Sequence, residues 1–348
     1  MKIAITGATG NVGTSLLAAL DGDGAVEEIV GIARRRPGIS FERTRWVCAD
    51  VTRDDLTEAF AGVDAVVHLA WLIQPSRDRD VTYAVNVEGS RRVFEAAAAA
   101  GVSSLVHASS IGAYSPGPKD RRVDESWPTG GIQTSFYSRD KADVETILDT
   151  FERAHPEIRV VRLRPGLIFK GDAASGIRRL FAGPLLPTPL LRRRLIPVVP
   201  ALDRLRFQAV HSLDIGEAYK LALLSDVRGP FNIAAEPVLG GPEIAGVLGA
   251  RYLPVPRSLV RGALAAGWHA HLVPADPRLL DLVLGLPLLD TSRAADVLGW
   301  KPKWSGVQAL REMVEGLADG AGGSTEPLAP DSLSGRRHEV ATGIGERP

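Results

Sequence analysis

Tyr137 and Lys141 stand four positions apart in Tyr137-Ser138-Arg139-Asp140-Lys141, a spacing that puts both side chains on one face of a helix. A free phenol titrates near ~10, too high for an efficient acid or base at neutral pH, and an ammonium one turn away favours the phenolate. Such a pair can move a proton. A surface tyrosine and lysine also fall at this spacing by chance, so the preceding residues decide. Leu105-Val106-His107-Ala108-Ser109-Ser110 is an apolar run that ends in two hydroxyls. A serine there can donate a hydrogen bond to a carbonyl oxygen while the tyrosine supplies the proton. Ser110 is expected in that role, and Ser109 is expected to cap the strand end.

A second constellation opens the chain. Lys2-Ile3-Ala4-Ile5 runs into Thr6-Gly7-Ala8-Thr9-Gly10-Asn11-Val12-Gly13, after which residues 14–20 continue as a helix. An apolar strand that breaks into a glycine loop and then a helix is how α/β proteins hold a dinucleotide pyrophosphate. Gly7 permits the turn, Gly10 lets phosphates approach backbone N–H groups at the positive helix end, and Gly13 lets helix and strand pack closely. The spacing G-x-x-G-x-x-G is one residue longer in its first gap than G-x-G-x-x-G. A glycine turn that binds nothing is the alternative.

These residues need a frame, and the first 170 positions supply one. Strands are expected at 2–6, 28–33, 45–47, 65–70, 104–109 and 159–164, with helices at 12–20, 53–60, 86–100 and 137–155. Strand and helix alternate, and the strands are apolar throughout. That predicts an α/β fold with a doubly wound parallel sheet (Rossmann), helices on both faces and a ligand crevice at the carboxyl ends of the strands. Residues 1–170 are expected to form the dinucleotide-binding domain, with 207–235 returning to it. Residues 171–206 and 236–318 are expected to form a smaller C-terminal substrate-binding lobe. From about 319 the composition turns to Gly, Ser, Pro and charge, so 319–348 reads as a disordered tail.

Composition narrows the class. The 348 residues carry 41 basic and 41 acidic side chains, so no global field favours nucleic acid or an anionic membrane. The single cysteine, Cys48, excludes an internal disulfide and fits a reducing compartment. The first strand begins directly after Met1, leaving no room for a signal peptide, and no apolar run reaches the ~18 residues of a membrane span. A soluble cytoplasmic protein acting on a small molecule is expected, with no metal site.

The glycine loop, Ser110, Tyr137 and Lys141, in this order, resemble the extended short-chain dehydrogenase/reductases, the NAD-dependent epimerase/dehydratase family. Further segments match in order. Ala65-Val66-Val67-His68-Leu69-Ala70 looks like that family's fourth strand, and Asn86-Val87-Glu88-Gly89-Ser90 like its Asn-Val-x-Gly-Thr helix start. Leu163-Arg164-Pro165-Gly166-Leu167-Ile168-Phe169 looks like its Arg-Pro-x-x-x-Tyr-Gly segment, with Lys170 replacing the glycine. Val210-His211-Ser212-Leu213-Asp214-Ile215 resembles its Val-His-Val-Asp-Asp-Val element, and Leu298-Gly299-Trp300-Lys301-Pro302 its closing Leu-Gly-Trp-x-Pro. The resemblance covers about residues 1–318. It implies Tyr137 as general acid/base, Lys141 on the cofactor ribose and Ser110 on the reacting carbonyl. It implies cofactor contacts from Gly7, Thr9, Gly10, Asn11, Val12, Gly13, Leu69 and Ala70. Asp50 and Val51 would sit against the adenine, and Pro165 and Ile168 near the carboxamide. Asn86 is expected to be structural. Such proteins commonly dimerise through two helices, here 86–100 and 137–155, so a homodimer is expected.

Two readings concern specificity. An NAD site wants an acid at the end of the second strand to accept from the ribose 2′-OH, whereas Gly31-Ile32-Ala33-Arg34-Arg35-Arg36 offers Ala33 followed by arginines. Guanidinium pairs well with a 2′-phosphate, so NADP(H) is expected over NAD(H), with Arg34 and Arg35 as contacts. A solvated basic turn is the alternative. As for substrate, Ile111-Gly112 after Ser110 lacks the Asp-Glu pair of the sugar-nucleotide dehydratases, and Phe207-Gln208 stands where epimerases often carry an arginine. Trp71-Leu72-Ile73-Gln74-Pro75 is apolar for a sugar site. Hydride transfer to or from a small, fairly apolar carbonyl or alcohol is the expectation. Epimerisation of a nucleotide-linked sugar is the alternative, kept open by the arginines at 192 to 194 and Arg206, and a non-catalytic dinucleotide-binding sensor is the third.

Overall fold

The structure is a computed structural model that describes residues 1–186, 188–191 and 196–345, so the arginines at 192 to 194 lie outside the described residues. β1 (Lys2–Thr6) shows why a sheet forms with cover on both sides. Ile3 and Ile5 point to one face and meet Leu16, Leu17 and Leu20 of α1 (Asn11–Leu20), while Ala4 points to the other and joins Val30 and Ile32. This is the two-residue alternation of a strand.

Parallel partners follow on either side: β2 (Glu28–Ala33), β3 (Thr44–Cys48), β4 (Ala65–His68), β5 (Ser104–Ala108), β6 (Arg159–Pro165) and, after a short β7 (Leu167–Phe169) and β8 (Arg206–His211), β9 (Gly229–Ile233). The seven-stranded sheet has the order β9-β6-β5-β4-β1-β2-β3, every pairing parallel. α1 and α4 (Ser212–Leu224) cover one face, and α2 (Gly89–Ala99) and α3 (Phe136–Ala154) the other. The strand order reverses between β1 and β4, which opens the crevice at their carboxyl ends. The doubly wound fold is thus the expected one.

β8 stands outside that sheet and pairs with β7 and with antiparallel β10 (Ala235–Gly240), forming a three-stranded sheet. A separate core grows on it from Phe207, Ala209 and Leu239, closed by Val247 of α5 (Gly241–Leu248) and by Leu310 and Met313 of α7 (Gly306–Asp319). Between them in sequence, α6 (Arg278–Gly285) leans back toward α3. The Leu-Gly-Trp segment locks this part to the large sheet. The Trp300 Nε1 donates to Asp214 O at 2.8 Å, and the Asp214 carboxylate accepts from Lys303 N and Trp304 N at 2.9 and 3.1 Å.

Three local expectations are corrected. Residues 53–60 form turns rather than a helix. The Asp50 Oδ1 accepts from Thr52 N at 3.0 Å and Asp55 Oδ1 from Thr57 N at 2.8 Å, local bonds that compete with a helical ladder. The helix expected at 86–100 starts earlier, at Arg79–Tyr83, and widens into a π-helical turn over Ala84–Glu88 before α2. The stretch after 319, expected to lack order, carries a 3-10 turn at Glu326–Leu328 and α8 (Leu333–Thr342). Buried Arg178 holds it through Glu339 and Asp331, contacts that composition alone does not reveal.

Candidate active site

The glycine loop needs its glycines for room. A Cβ on Gly7, which has φ +72°, would lie 2.7 Å from Ala70 N, and one on Gly13 would lie 2.5 Å from Gly7 O. Gly7 therefore presses the loop against the end of β4, beside Leu69 and Ala70. At Gly10 only Gly7 O comes near, at 3.4 Å. α1 begins there with no side-chain cap and no acid in its first turn, which leaves its positive end unneutralised. The Asn11 Oδ1 is buried without a hydrogen-bond partner among the described residues. A closely approaching loop, an uncapped helix start and an orphaned polar atom together fit a dinucleotide pyrophosphate.

On the other side of the crevice, β5 ends in Ser109 and Ser110, which point to different partners. The Ser109 Oγ donates to Glu145 Oε1 at 2.5 Å. Ser110 Oγ accepts from Gly112 N at 2.9 Å and from the Tyr137 hydroxyl at 3.1 Å. With both acceptor positions engaged, the Ser110 hydroxyl proton is left free to donate. Tyr137 can lie so close because residue 112 is glycine: a Cβ there would meet Tyr137 Cε1 at 2.7 Å. The Ser138 Oγ fixes the start of α3 by donating to Gly112 O at 2.5 Å and accepting from Ile132 N at 2.6 Å.

Lys141 shares a helical face with Tyr137 but turns away from the phenol. Its Nζ donates to Ala108 O at 2.7 Å and sits 3.3 Å from the centroid of the Trp71 ring. Trp71 in turn meets Tyr137 edge-to-face at 5.9 Å. Burial pushes the Lys141 ammonium down to about 7, against the opposing pull of the Glu145 and Asp140 carboxylates. Burial likewise raises the Tyr137 phenol above its ordinary value, partly offset by the Ser110 hydrogen bond. The expected lowering of Tyr137 by Lys141 is therefore absent here: desolvation outweighs it while Lys141 faces Ala108 and Trp71.

Trp71 is held in place from behind. Asn86 accepts from Leu72 N at 2.8 Å and donates to Leu72 O at 2.9 Å and to Asp140 at 3.3 Å. Asp140 is clamped by Arg79 at 2.7 Å. Asn86 thus orders the loop after β4. Beneath Ser109, Glu145 is buried among Arg164, at 2.8 and 2.9 Å, and Arg162, at 2.8 Å. Burial alone would raise its carboxyl, but Arg164, Arg162 and Ser109 outweigh that and hold it at about 2. Sequence reading passed over Glu145, yet it stands four residues after Lys141 on the same helical face.

The remaining expected contacts are spread around the rim. Asp50 binds Thr52 through Oδ1; burial would raise its carboxyl, but the Thr52 hydrogen bonds lower it overall. Val51 packs where a Cβ on Gly89 would fall, 2.8 Å from its Cγ2. Ala33 ends β2, and Arg34 and Arg35 beyond it are exposed. Pro165 ends β6 beside Ile233, and Ile168 sits in β7 beside Val210. Around Tyr137 the wall is apolar, built from Ile111, Ile132, Leu279, Leu282 and Trp127. Arg206, the nearest candidate for a substrate pyrophosphate, is committed to Lys119 O at 2.7 Å. No metal-binding group of His, Cys, Asp and Glu is found among the described residues, and none of their helices is long and apolar enough to cross a membrane.

Comparison with known proteins points the same way. Residues 3–174 match the model of the NAD dependent epimerase/dehydratase family. An uncharacterized protein of Mycobacterium tuberculosis strain H37Rv is 29% identical over 315 residues, covering 90% of this chain but 29% of that protein, so the chain spans under a third of that relative's length. The L-arabinose 1-dehydrogenase (NAD(P)(+)) of Haloferax volcanii is 45% identical over 109 residues, 31% of this chain and 40% of that enzyme. The UDP-glucose 4-epimerase of Mycolicibacterium smegmatis is 26% identical over 336 residues, 90% of this chain and 98% of that enzyme. Among solved structures, the Thermus thermophilus UDP-glucose 4-epimerase complex with NAD superposes with a TM-score of 0.67 at 22% identity, covering 91% of this chain and 99% of that one.

Proposed function

The chain belongs to the NAD-dependent epimerase/dehydratase family of extended short-chain dehydrogenase/reductases, and from that premise we propose that it interconverts a small, fairly apolar carbonyl and its alcohol with a nicotinamide cofactor. One observation carries the reading: the Tyr137 hydroxyl lies 3.1 Å from Ser110 Oγ, at the edge of an apolar wall. In this reading Ser110 donates its free proton to the carbonyl oxygen, and Tyr137 gives or takes the proton that accompanies reaction there. A nicotinamide cofactor, once held there, would supply the hydride chemistry at its C4. Gly7, Thr9, Gly10, Asn11, Val12 and Gly13 would hold the pyrophosphate, Asp50 and Val51 the adenine side, and Lys141 the nicotinamide ribose. Leu69, Ala70, Pro165 and Ile168 would line the space between. Arg34 and Arg35, with no acid at the end of β2, favour NADP(H) over NAD(H).

The exposed, unpaired Cys48 fits a reducing, cytoplasmic setting. A homodimer through the outward faces of α2 and α3 completes the proposal, and sedimentation equilibrium tests it.

A second reading, nucleotide-sugar epimerisation, is favoured by the likeness to the Mycolicibacterium smegmatis epimerase along almost that enzyme's whole length. A panel of ketones, aldehydes and nucleotide sugars with reduced and oxidised cofactors separates the two. Stoichiometric NADPH consumption with an apolar carbonyl supports the first. Conversion of a nucleotide sugar without net cofactor change replaces it with the second.

A further inference from the structure

A segment from near the end of the chain lies against the glycine loop. The Thr325 Oγ1 donates to Thr9 O at 2.7 Å, and Thr325 is only 2% exposed. Three residues on, Leu328 is buried. Arg179 donates to Pro327 O at 2.9 Å and Ala329 O at 2.8 Å. Arg178, itself buried, binds Glu339 at 2.5 Å and Asp331 at 3.3 Å. These contacts fix the backbone from Thr325 to Ala329 without help from residue 326.

Glu326 then pairs with Arg35. Both side chains are more than half exposed, at 63% and 68%, so this pair is not what holds the segment. The segment brings the carboxylate to the arginine. The end of β2 has three consecutive arginines and no acid of its own, so a carboxylate has been imported there from about 290 residues away in sequence.

We propose that Glu326 is a cofactor-selectivity residue: anchored by the Thr325–Thr9 hydrogen bond, it occupies Arg35 and opposes a 2′-phosphate, so that it narrows the margin of NADP(H) over NAD(H). The inference rests on the reading above, in which Arg35 faces the adenosine ribose. A 2′-phosphate has to compete with Glu326 for the guanidinium and also meets its charge, whereas a 2′-hydroxyl suffers neither effect.

Titration of NADPH and NADH binding, followed by protein fluorescence at fixed ionic strength, tests it in the full chain. Glu326→Gln is expected to tighten NADPH about tenfold and leave NADH within about twofold. Thr325→Val, which frees the anchor, is expected to shift NADPH in the same direction by less. Added salt is expected to shrink the gap between wild type and Glu326→Gln. Melting curves confirm that each variant is folded. If Glu326→Gln binds both cofactors with the wild-type ratio, the proposal is overturned. Arg35→Ala with undiminished NADPH affinity overturns it as well. Failure of the wild type to bind either dinucleotide would instead overturn the functional reading on which it rests.

Discussion

The Lys141 ammonium rests on the face of Trp71, 3.3 Å from the ring centroid, and donates to Ala108 O at 2.7 Å, so the cation is held between an indole and a strand-end carbonyl. Neither partner replaces water fully, and burial brings Lys141 down to about 7. The lysine therefore loses its charge within the neutral range. If Lys141 holds the cofactor ribose, cofactor affinity falls as pH rises through that value. Lys141→Met is expected to weaken binding by roughly 2 kcal/mol and to flatten the pH dependence. Cofactor titrations at pH values below and above the transition check both effects.

Tyr137→Phe leaves the ring in place and removes the only atom that can carry the proton. Turnover is expected to fall about 10²- to 10⁴-fold while cofactor affinity stays the same. Ser110→Ala removes the proposed donor to the carbonyl and is expected to cost about 10²- to 10³-fold. Steady-state kinetics with parallel binding titrations separate these losses from unfolding. Unchanged turnover in Tyr137→Phe would remove Tyr137 from the proton-transfer role, whereas a wild type that binds dinucleotide but turns over no substrate of the panel would leave the dinucleotide-binding sensor as the surviving reading.

Gly112 sets the distance between these two groups. A Cβ at this position falls 2.7 Å from Tyr137 Cε1 and 3.3 Å from Ser110 Oγ, so Gly112→Ala must push the phenol off its seat. A displacement of about 1 Å in an oriented group can cost on the order of 10²-fold in rate. The expected signature is a lower kcat with little change in Tm. A kcat at the wild-type level would show that the Tyr137–Ser110 geometry does not limit the reaction.

Local patterns made much of this site legible. The loop glycines announce close approach by their spacing. Tyr137 and Lys141 are paired by helical periodicity, and Ser110 is found because a strand of apolar residues must end somewhere. Three features escaped because they depend on partners distant in sequence. Glu145 acts through Arg162 and Arg164, which arrive on the next strand. Trp71 reads as an apolar loop residue until Asn86 and Asp140 fix that loop over Lys141. Glu326 lies in a stretch whose composition suggests disorder, and only Arg178, Arg179 and Thr9 reveal that it is anchored. The misjudged helix at 53–60 has the opposite cause: local Asp-to-backbone bonds defeated a helical pattern.

Glu145, beneath Ser109, carries a share of the acid stability of the fold. It accepts from Ser109, Arg162 and Arg164, and its carboxyl is held at about 2 against an ordinary 4.5. Above 4.5 the carboxylate is charged in both the folded and unfolded chain, and its stabilising contribution is complete. As pH falls from there toward 2, the unfolded chain binds the proton first, so stability is lost across that window. Lys141 works on the alkaline side with the same sign. Its folded value of about 7 lies below the ordinary 10.5, so the unfolded chain again holds more protons between the two, and stability rises with pH there. Glu145→Gln leaves buried Arg164 without its carboxylate, while Arg162 keeps Asp149 and Glu152, and is expected to destabilise the fold by about 3 kcal/mol. It should also flatten the acid slope, while Lys141→Met flattens only the alkaline one. Urea unfolding of the three proteins across pH tests the assignment. An acid slope that survives in Glu145→Gln would place the responsible carboxylate elsewhere in the chain.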